Sequence, residues 1–110
     1  MNEKRAAEVN ELVEMFGHCK EVLVAIGDEN RLHIIIEMML IGKPEGLRVG
    51  DITERTHLSR PAVSHHVQIL KKAGVLAVRK ESTKNYYSFA PGIKCLDEVI
   101  DAFRKSQEIA

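Results

Sequence analysis

Between Leu58 and Gly74 the chain reads L-S-R-P-A-V-S-H-H-V-Q-I-L-K-K-A-G, a run that constrains the fold more than any other. Ser59 stands where an N-cap belongs, its hydroxyl available to the free amides of a first helical turn. Pro61 falls inside that turn, where a missing N–H breaks no hydrogen bond. Val63, Val67 and Leu70 recur at i, i+4 and i+7 and make one apolar stripe. Lys71 and Lys72 suit the negative end of the helix dipole, and Gly74 supplies the stop. The remaining face carries Arg60, Ser64, His65, Gln68 and Lys72, side chains that hydrogen-bond to base edges or phosphates. The run predicts an amphipathic helix with a DNA-reading face.

The 110 residues suffice for one domain with a modest core, spanning 1–110. The formal net charge is zero, but it is unevenly spread. Residues 55–84 hold Arg55, Arg60, Lys71, Lys72, Arg79, Lys80 and Lys84 against the single acid Glu81, a formal +6. The flanking segments 1–54 and 85–110 stand at −5 and −1. Positive charge gathered in one segment of a neutral chain fits a nucleic-acid footprint; the plainer alternative is a solvated charged face. Two cysteines, Cys19 and Cys95, are too few and too far apart in sequence for a disulfide-stapled secreted fold. The opening M-N-E-K-R-A-A-E-V-N-E is polar and acidic, unlike a signal peptide, and no apolar run reaches the length of a membrane span. These features predict a reduced, cytoplasmic protein without membrane association.

Ala6, Val9, Leu12, Val13 and Phe16 share one helical face, and the pattern resumes with Cys19, Val22, Leu23 and Ile26. This predicts two short helices, or one bent near Gly17. Asp28 is a plausible N-cap for a buried central helix over roughly 29–41, rich in Leu, Ile and Met. His33 and Glu37 lie four apart on it and are expected as a surface pair. After the loop 42–46, Leu47-Arg48-Val49 fits a single edge strand, and Gly50 to His57 a short helix with Ile52 inward. With a turn at Thr56-His57-Leu58, this makes a helix-turn-helix. Residues 75–81 alternate as a strand, 82–85 form a turn, and Tyr86-Tyr87-Ser88-Phe89 a second strand. A hairpin directly after a helix-turn-helix is a wing, and Arg79, Lys80 and Lys84 on it are placed to reach phosphate or the minor groove. Pro91 starts a last helix striped by Ile93, Leu96, Val99, Ile100 and Phe103.

The expected fold is mainly α with a small β-wing (α+β), in the order α-α-α-(β)-α-α-β-β-α. Residues 1–26 form N-terminal dimerisation helices, 50–74 the helix-turn-helix, 75–90 the wing, and 92–110 a C-terminal dimerisation helix. Two amphipathic terminal helices exceed what so small an interior can bury, so a second copy is expected to cover them. A two-fold dimer also sets two reading helices one turn of DNA apart, matching an imperfect palindrome in double-stranded DNA.

Several motifs resemble the arsenic-repressor-like (ArsR/SmtB) winged-helix regulators. G-D-E-N-R-L-H-I-I from Gly27 is similar to that family's D-P-T-R-L-x-I-L entry. L-S-R-P-A-V-S-H-H-V-Q-I-L-K-K-A-G-V-L resembles its recognition helix nearly position for position, and Arg79-Lys80-Glu81 with Tyr86-Tyr87 resemble its wing. The resemblance covers roughly residues 20–90. It implies a homodimeric repressor whose DNA affinity falls when an inducer binds, with Ser59, Arg60, Ala62, Ser64, His65 and Gln68 facing the groove. The chain departs from the family at Thr53 and Thr56, and at His57, which replaces a turn glycine and so predicts strain at positive φ.

Metal-sensing members carry a thiolate pair where this chain has Arg48 and Gly50, which bind no soft metal. Others use Asp and His on the last helix, whereas this one has Asp97, Glu98 and Asp101 without His. No metal and no cofactor are expected, and the inducer is unknown. His65 and His66 are adjacent and point about 100° apart, so His65 reads as a DNA contact and His66 as packed towards the wing or the partner helix. Some members sense oxidants or reactive sulfur with two cysteines, which marks Cys19 and Cys95 as a candidate thiol pair, within or between chains; the plainer reading is two small buried apolar residues. The alternative function is a winged-helix protein-interaction or architectural module with no sensed ligand. An enzyme is excluded by the lack of a phosphate loop, a nucleophile elbow, a ligand cluster or paired catalytic carboxylates.

Overall fold

The computed structural model describes residues 2–109. In chain order the elements are α1 (Glu3–His18), α2 (Lys20–Ile26), α3 (Glu29–Ile41), α4 (Val49–Glu54), α5 (Arg60–Lys72), β1 (Leu76–Glu81), β2 (Lys84–Phe89), a 3₁₀ turn (Pro91–Lys94) and α6 (Cys95–Ile109). The order is the expected one, mainly helical with a two-stranded antiparallel wing.

Helix α5 is the centre of packing. Val63, Val67 and Leu70 lie entirely out of solvent, against a core that includes Ile34, Ile52, Leu76 and Tyr87. Ser59 caps the helix as expected, its hydroxyl accepting from the Ala62 amide at 3.3 Å. Asp28 caps α3 in the same way, accepting from the Arg31 amide at 3.0 Å. That hydrogen bond, with the charges of Arg31 and His66 adding to it, holds the Asp28 carboxyl below its ordinary range. The cap therefore persists as pH falls, until below the normal carboxylate range.

The hairpin pairs Leu76 with Phe89 through Glu81 with Lys84. Leu76 and Tyr87 therefore share the core face, while Arg79 and Tyr86 share the outer face. Gly46, at φ 101, lies flat against β2, and a Cβ there would come within 3.0 Å of the Tyr87 carbonyl oxygen.

Several expectations shift. The first of the two expected forms is found, two helices, with the break at Cys19, two residues past Gly17, where the Cys19 amide bonds back to Phe16 and α2 starts anew. The expected strand 47–49 reduces to one residue. Leu47 exchanges two 2.8 Å hydrogen bonds with Tyr87, and Val49 already belongs to α4. Helix α4 begins earlier and ends at Glu54 rather than His57. The wing turn is only Ser82-Thr83, with Ser82 at φ 55. The C-terminal helix starts at Cys95, after the 3₁₀ turn.

His57 is not at positive φ; Ser82 is the one non-glycine residue there among those described. The turn is held instead by Thr56, whose hydroxyl donates to the Thr53 carbonyl and accepts from the Leu58 amide.

The largest difference is α3, expected as a buried central helix with only His33 and Glu37 as a surface pair. Only Ile34, Ile35 and Met38 are buried, while Leu32, Ile36, Met39 and Leu40 remain 44–67% exposed. α3 meets α2, α4 and α5, and among the described residues Leu32, Ile36, Met39 and Leu40 on its other flank stay open to solvent.

Because Leu70 has no exposed surface and touches several elements, Leu70→Ala is expected to cost about 2–5 kcal/mol. Urea denaturation followed by circular dichroism checks this. A loss below about 1 kcal/mol would contradict the central place given to α5.

Candidate nucleic-acid interface

The burial of Val63, Val67 and Leu70 turns the opposite side of α5 to solvent. Ser59, Arg60, His65, Gln68 and Lys72 are exposed there, while Ala62 and Ser64 are half-buried at its margins. Next to this face stands the hairpin, with Lys80 and Lys84 exposed near its tip. Of the seven cations in residues 55–84, two are neutralised. Arg55 donates to Glu37 at 3.0 Å, and Arg79 to Glu81 at 2.6 Å. Among the described residues no carboxylate lies within ion-pair distance of Arg60, Lys71, Lys72, Lys80 or Lys84. Within residues 55–84 the unpaired cations thus lie on α5 and the wing.

Three predicted residues take up contacts with the protein itself. Arg79 donates to Glu81 and to the Glu45 carbonyl at 3.2 Å, and its guanidinium lies 4.6 Å from the centroid of the Tyr86 ring. It braces the wing, and its hydrogen bond holds the Glu81 carboxyl below the ordinary range. Gln68 donates from its amide nitrogen to the Tyr87 hydroxyl at 3.0 Å, which leaves its amide oxygen and second N–H without a hydrogen-bond partner among the described residues. His66 faces neither the wing nor outward: Arg31 of α3 lies against its Nδ1 at 3.4 Å. Arg31 also donates to the Ala25 carbonyl at 2.6 Å, so it ties the end of α2 to α5.

The expected His33–Glu37 pair is absent, since Glu37 takes Arg55 and the His33 ring lies 6.2 Å from that of His57. The Tyr87–Gln68 contact escaped the sequence reading, although one signal was available. A buried tyrosine requires a partner for its hydroxyl, and that requirement was the available signal.

Cys19 and Cys95 meet within one chain, joined as a disulfide with their Cα atoms 5.4 Å apart. Cys19 is fully buried and Cys95 half-buried, at the edge of a cleft of about 460 Å³ bordered by His18, Lys20 and Gly92. The bond sits where α1 and α6 leave the body, beside the end of α5. There Gly92 packs so tightly that a Cβ would fall 2.5 Å from the Gly74 carbonyl oxygen. Among the described residues no group of three or more His, Cys, Asp or Glu side chains is placed to hold a metal ion.

A short helix, a five-residue turn, a second helix with its polar face outward and a cation-bearing hairpin define a winged helix-turn-helix of the DNA-binding class. A model for the bacterial regulatory proteins of the arsR family matches residues 28–78. The chain is 34% identical over 92 residues to an uncharacterized HTH-type transcriptional regulator of Methanocaldococcus jannaschii, covering 79% of this chain and 100% of that one. It is 32% identical over 88 residues to the arsenical resistance operon repressor of Escherichia coli, covering 76% and 70%. Among solved structures, the homodimeric winged helix-turn-helix DNA-binding domain Mb0332 from Mycobacterium bovis superposes with a TM-score of 0.56. The identity there is 21%, over 99% of this chain and 91% of that one. The chain belongs to the arsR family of bacterial regulatory proteins, and is a DNA-binding transcription regulator rather than an enzyme.

The disulfide closes a loop between residues 76 apart in sequence, which by chain entropy is worth about 4 kcal/mol. Reduction is therefore expected to lower the urea midpoint without loss of helix content at zero denaturant. Equal midpoints for oxidised and reduced protein would show that the bond contributes nothing to the fold.

Proposed function

We propose that the chain is a cytoplasmic homodimeric repressor that reads an imperfect palindrome in double-stranded DNA and releases it when Cys19 and Cys95 become joined. The observation that carries the DNA half is the set of five unpaired cations concentrated on α5 and the wing. In this reading α5 enters the major groove, with Ser59, Arg60, Ala62, Ser64, His65 and Gln68 along the base edges and Lys72 on phosphate. Gln68 reads through its oxygen and its second N–H, since Tyr87 engages one hydrogen of its nitrogen. Lys80 and Lys84 take backbone phosphate, and Arg79 keeps the wing rigid rather than touching DNA.

Dimerisation through the terminal helices is supported by Val13, Ile100 and Phe103, which are 49–63% exposed although Phe16 and Phe103 pack edge to face between the same two helices. No residue of α1 is buried in the single chain.

The release step rests on the placement of the cysteines. In a reducing compartment, disulfides are typically transient and regulatory rather than structural. Closing this one takes two electrons and two protons from the thiols, accepted by a peroxide or a low-molecular-weight disulfide. Formed at the root of α6 and beside the end of α5, it sets the angle between the dimerising helices and the reading helix. The spacing of two α5 helices across about 34 Å of DNA depends on that angle.

Selection of bound duplexes from a random pool, followed by footprinting across a salt series, tests the reading. A protected palindrome is expected, with affinity falling steeply as salt rises. Lys84→Ala should weaken all duplexes equally and reduce the salt slope by about one. His65→Ala should instead lose about 1–3 kcal/mol of discrimination at one base position. Oxidised protein is expected to bind at least tenfold more weakly than reduced protein, and a Cys95→Ser variant to ignore the oxidant. No protected palindrome at any salt would favour an interaction module instead, and equal binding by both redox forms would remove the thiol switch alone.

A further inference from the structure

Helices α2 and α5 pack beside each other and leave a groove between them. On α2, Lys20 and Glu21 stand one turn before Val24 and Ala25; on α5, Ile69 stands one turn before Lys72 and Ala73. Each helix therefore turns both charged and apolar side chains to the same gap. Ala25 and Ala73 are short, so the floor stays recessed where a leucine would fill it. The groove has a volume of about 630 Å³, within the range of small-molecule sites, and its wall is mostly apolar.

Arg31, at the start of α3, also lines the groove but is already engaged. It donates to the Ala25 carbonyl at 2.6 Å and lies 3.4 Å from Nδ1 of His66 and 4.0 Å from the Asp28 carboxylate. These contacts tie α2 and α5 to one another and fix the width of the gap. The rim is different. Lys20 and Lys72 are exposed, and among the described residues neither has a carboxylate within ion-pair distance. One exposed acid, Glu21, stands with them, so the rim carries a single surplus positive charge over an apolar floor.

We infer that this groove binds an aliphatic monocarboxylate, its tail on Val24, Ile69 and the two alanines and its carboxylate between Lys20 and Lys72. An inorganic anion would satisfy the lysines and leave Val24, which is 65% exposed, in water. An uncharged apolar molecule would displace water from around the two ammonium groups and offer them no counter-charge. A dianion such as an alkyl phosphate would exceed the rim's surplus charge and face Glu21 uncompensated. Lys72 is also the phosphate contact proposed at the end of α5, so an occupied groove turns that ammonium from DNA to the ligand. Ligand and duplex then compete for one cation, and each weakens the other's binding by the same factor. That effect rests on the repressor reading; occupation of the groove does not.

Octanoate is the probe, titrated by calorimetry into the full chain, with octanol as the tail alone and acetate as the charge alone. Octanoate is expected to bind with a dissociation constant of about 1 mM or tighter, and each control at least fivefold more weakly. Val24→Glu places a charge on an exposed side chain, so the fold should survive, as circular dichroism checks, while octanoate affinity falls at least tenfold. Lys20→Ala should weaken octanoate and leave octanol unchanged. Met39→Glu, on the open face of α3, should bind octanoate as the wild type does. Saturating octanoate should weaken binding of the selected duplex at least threefold in the wild type and leave Val24→Glu unaffected. No binding at several millimolar octanoate, equal binding of octanol, or full binding by Val24→Glu would overturn the site. An acidic amphipathic peptide bound more tightly than octanoate would assign the groove to a protein partner instead. Octanoate bound with duplex affinity unchanged would overturn the competition for Lys72, whereas failure to bind any duplex would sink the repressor reading and leave the groove standing.

Discussion

The burial of one face of α5 is the constraint on which the rest of the structure depends. Val63, Val67 and Leu70 draw α3, α4 and the wing around them, because a helix with one apolar stripe must find cover from several sides. The same burial decides what faces outward. Once the stripe is inside, Arg60, His65 and Lys72 have only solvent or a ligand to meet. Tyr87 completes the arrangement: its backbone holds Leu47, its ring fills the core, and its hydroxyl takes the Gln68 amide. Reader and wing are thereby joined through one side chain.

Electrostatics then sorts the basic segment into two kinds of cation. Arg55 and Arg79 are spent on carboxylates of the same chain and act as braces, while Arg60, Lys71, Lys72, Lys80 and Lys84 keep their charge available. Paired surface charges contribute little to long-range attraction, whereas unpaired ones clustered on adjoining elements focus a field that a polyanion follows. The chain's overall neutrality hides this, because the compensating acids lie mainly in the first half of the sequence.

The apolar surface left over is as informative as the core. A chain of this size cannot enclose α1, α6 and both flanks of α3, so part of the apolar surface remains outside. The Cys19–Cys95 bond lies at the junction between those outlying helices and the body.

Much of the fold was legible because its signals are local. Ser59 and Asp28 announced helix starts, the i, i+4, i+7 stripe announced the inner face of α5, and the alternation after Gly74 announced the wing. Helix boundaries near Cys19 and Glu54 were less legible, since competing hydrogen bonds such as those of Thr56 decide them by fractions of a turn. The polar face of α5 was also visible in advance, yet the roles of Arg79, Gln68 and His66 were not. Each of them is decided by a partner distant in sequence: Glu45, Tyr87 and Arg31. By itself the sequence determined the helix-turn-helix, the wing and which side of α5 is polar, because periodicity and capping act within a few residues. Only the tertiary structure decided which cations remain free, that the two cysteines meet, and that α3 has an uncovered side. Those outcomes depend on which surfaces come together when segments far apart in the chain compete for the same small core.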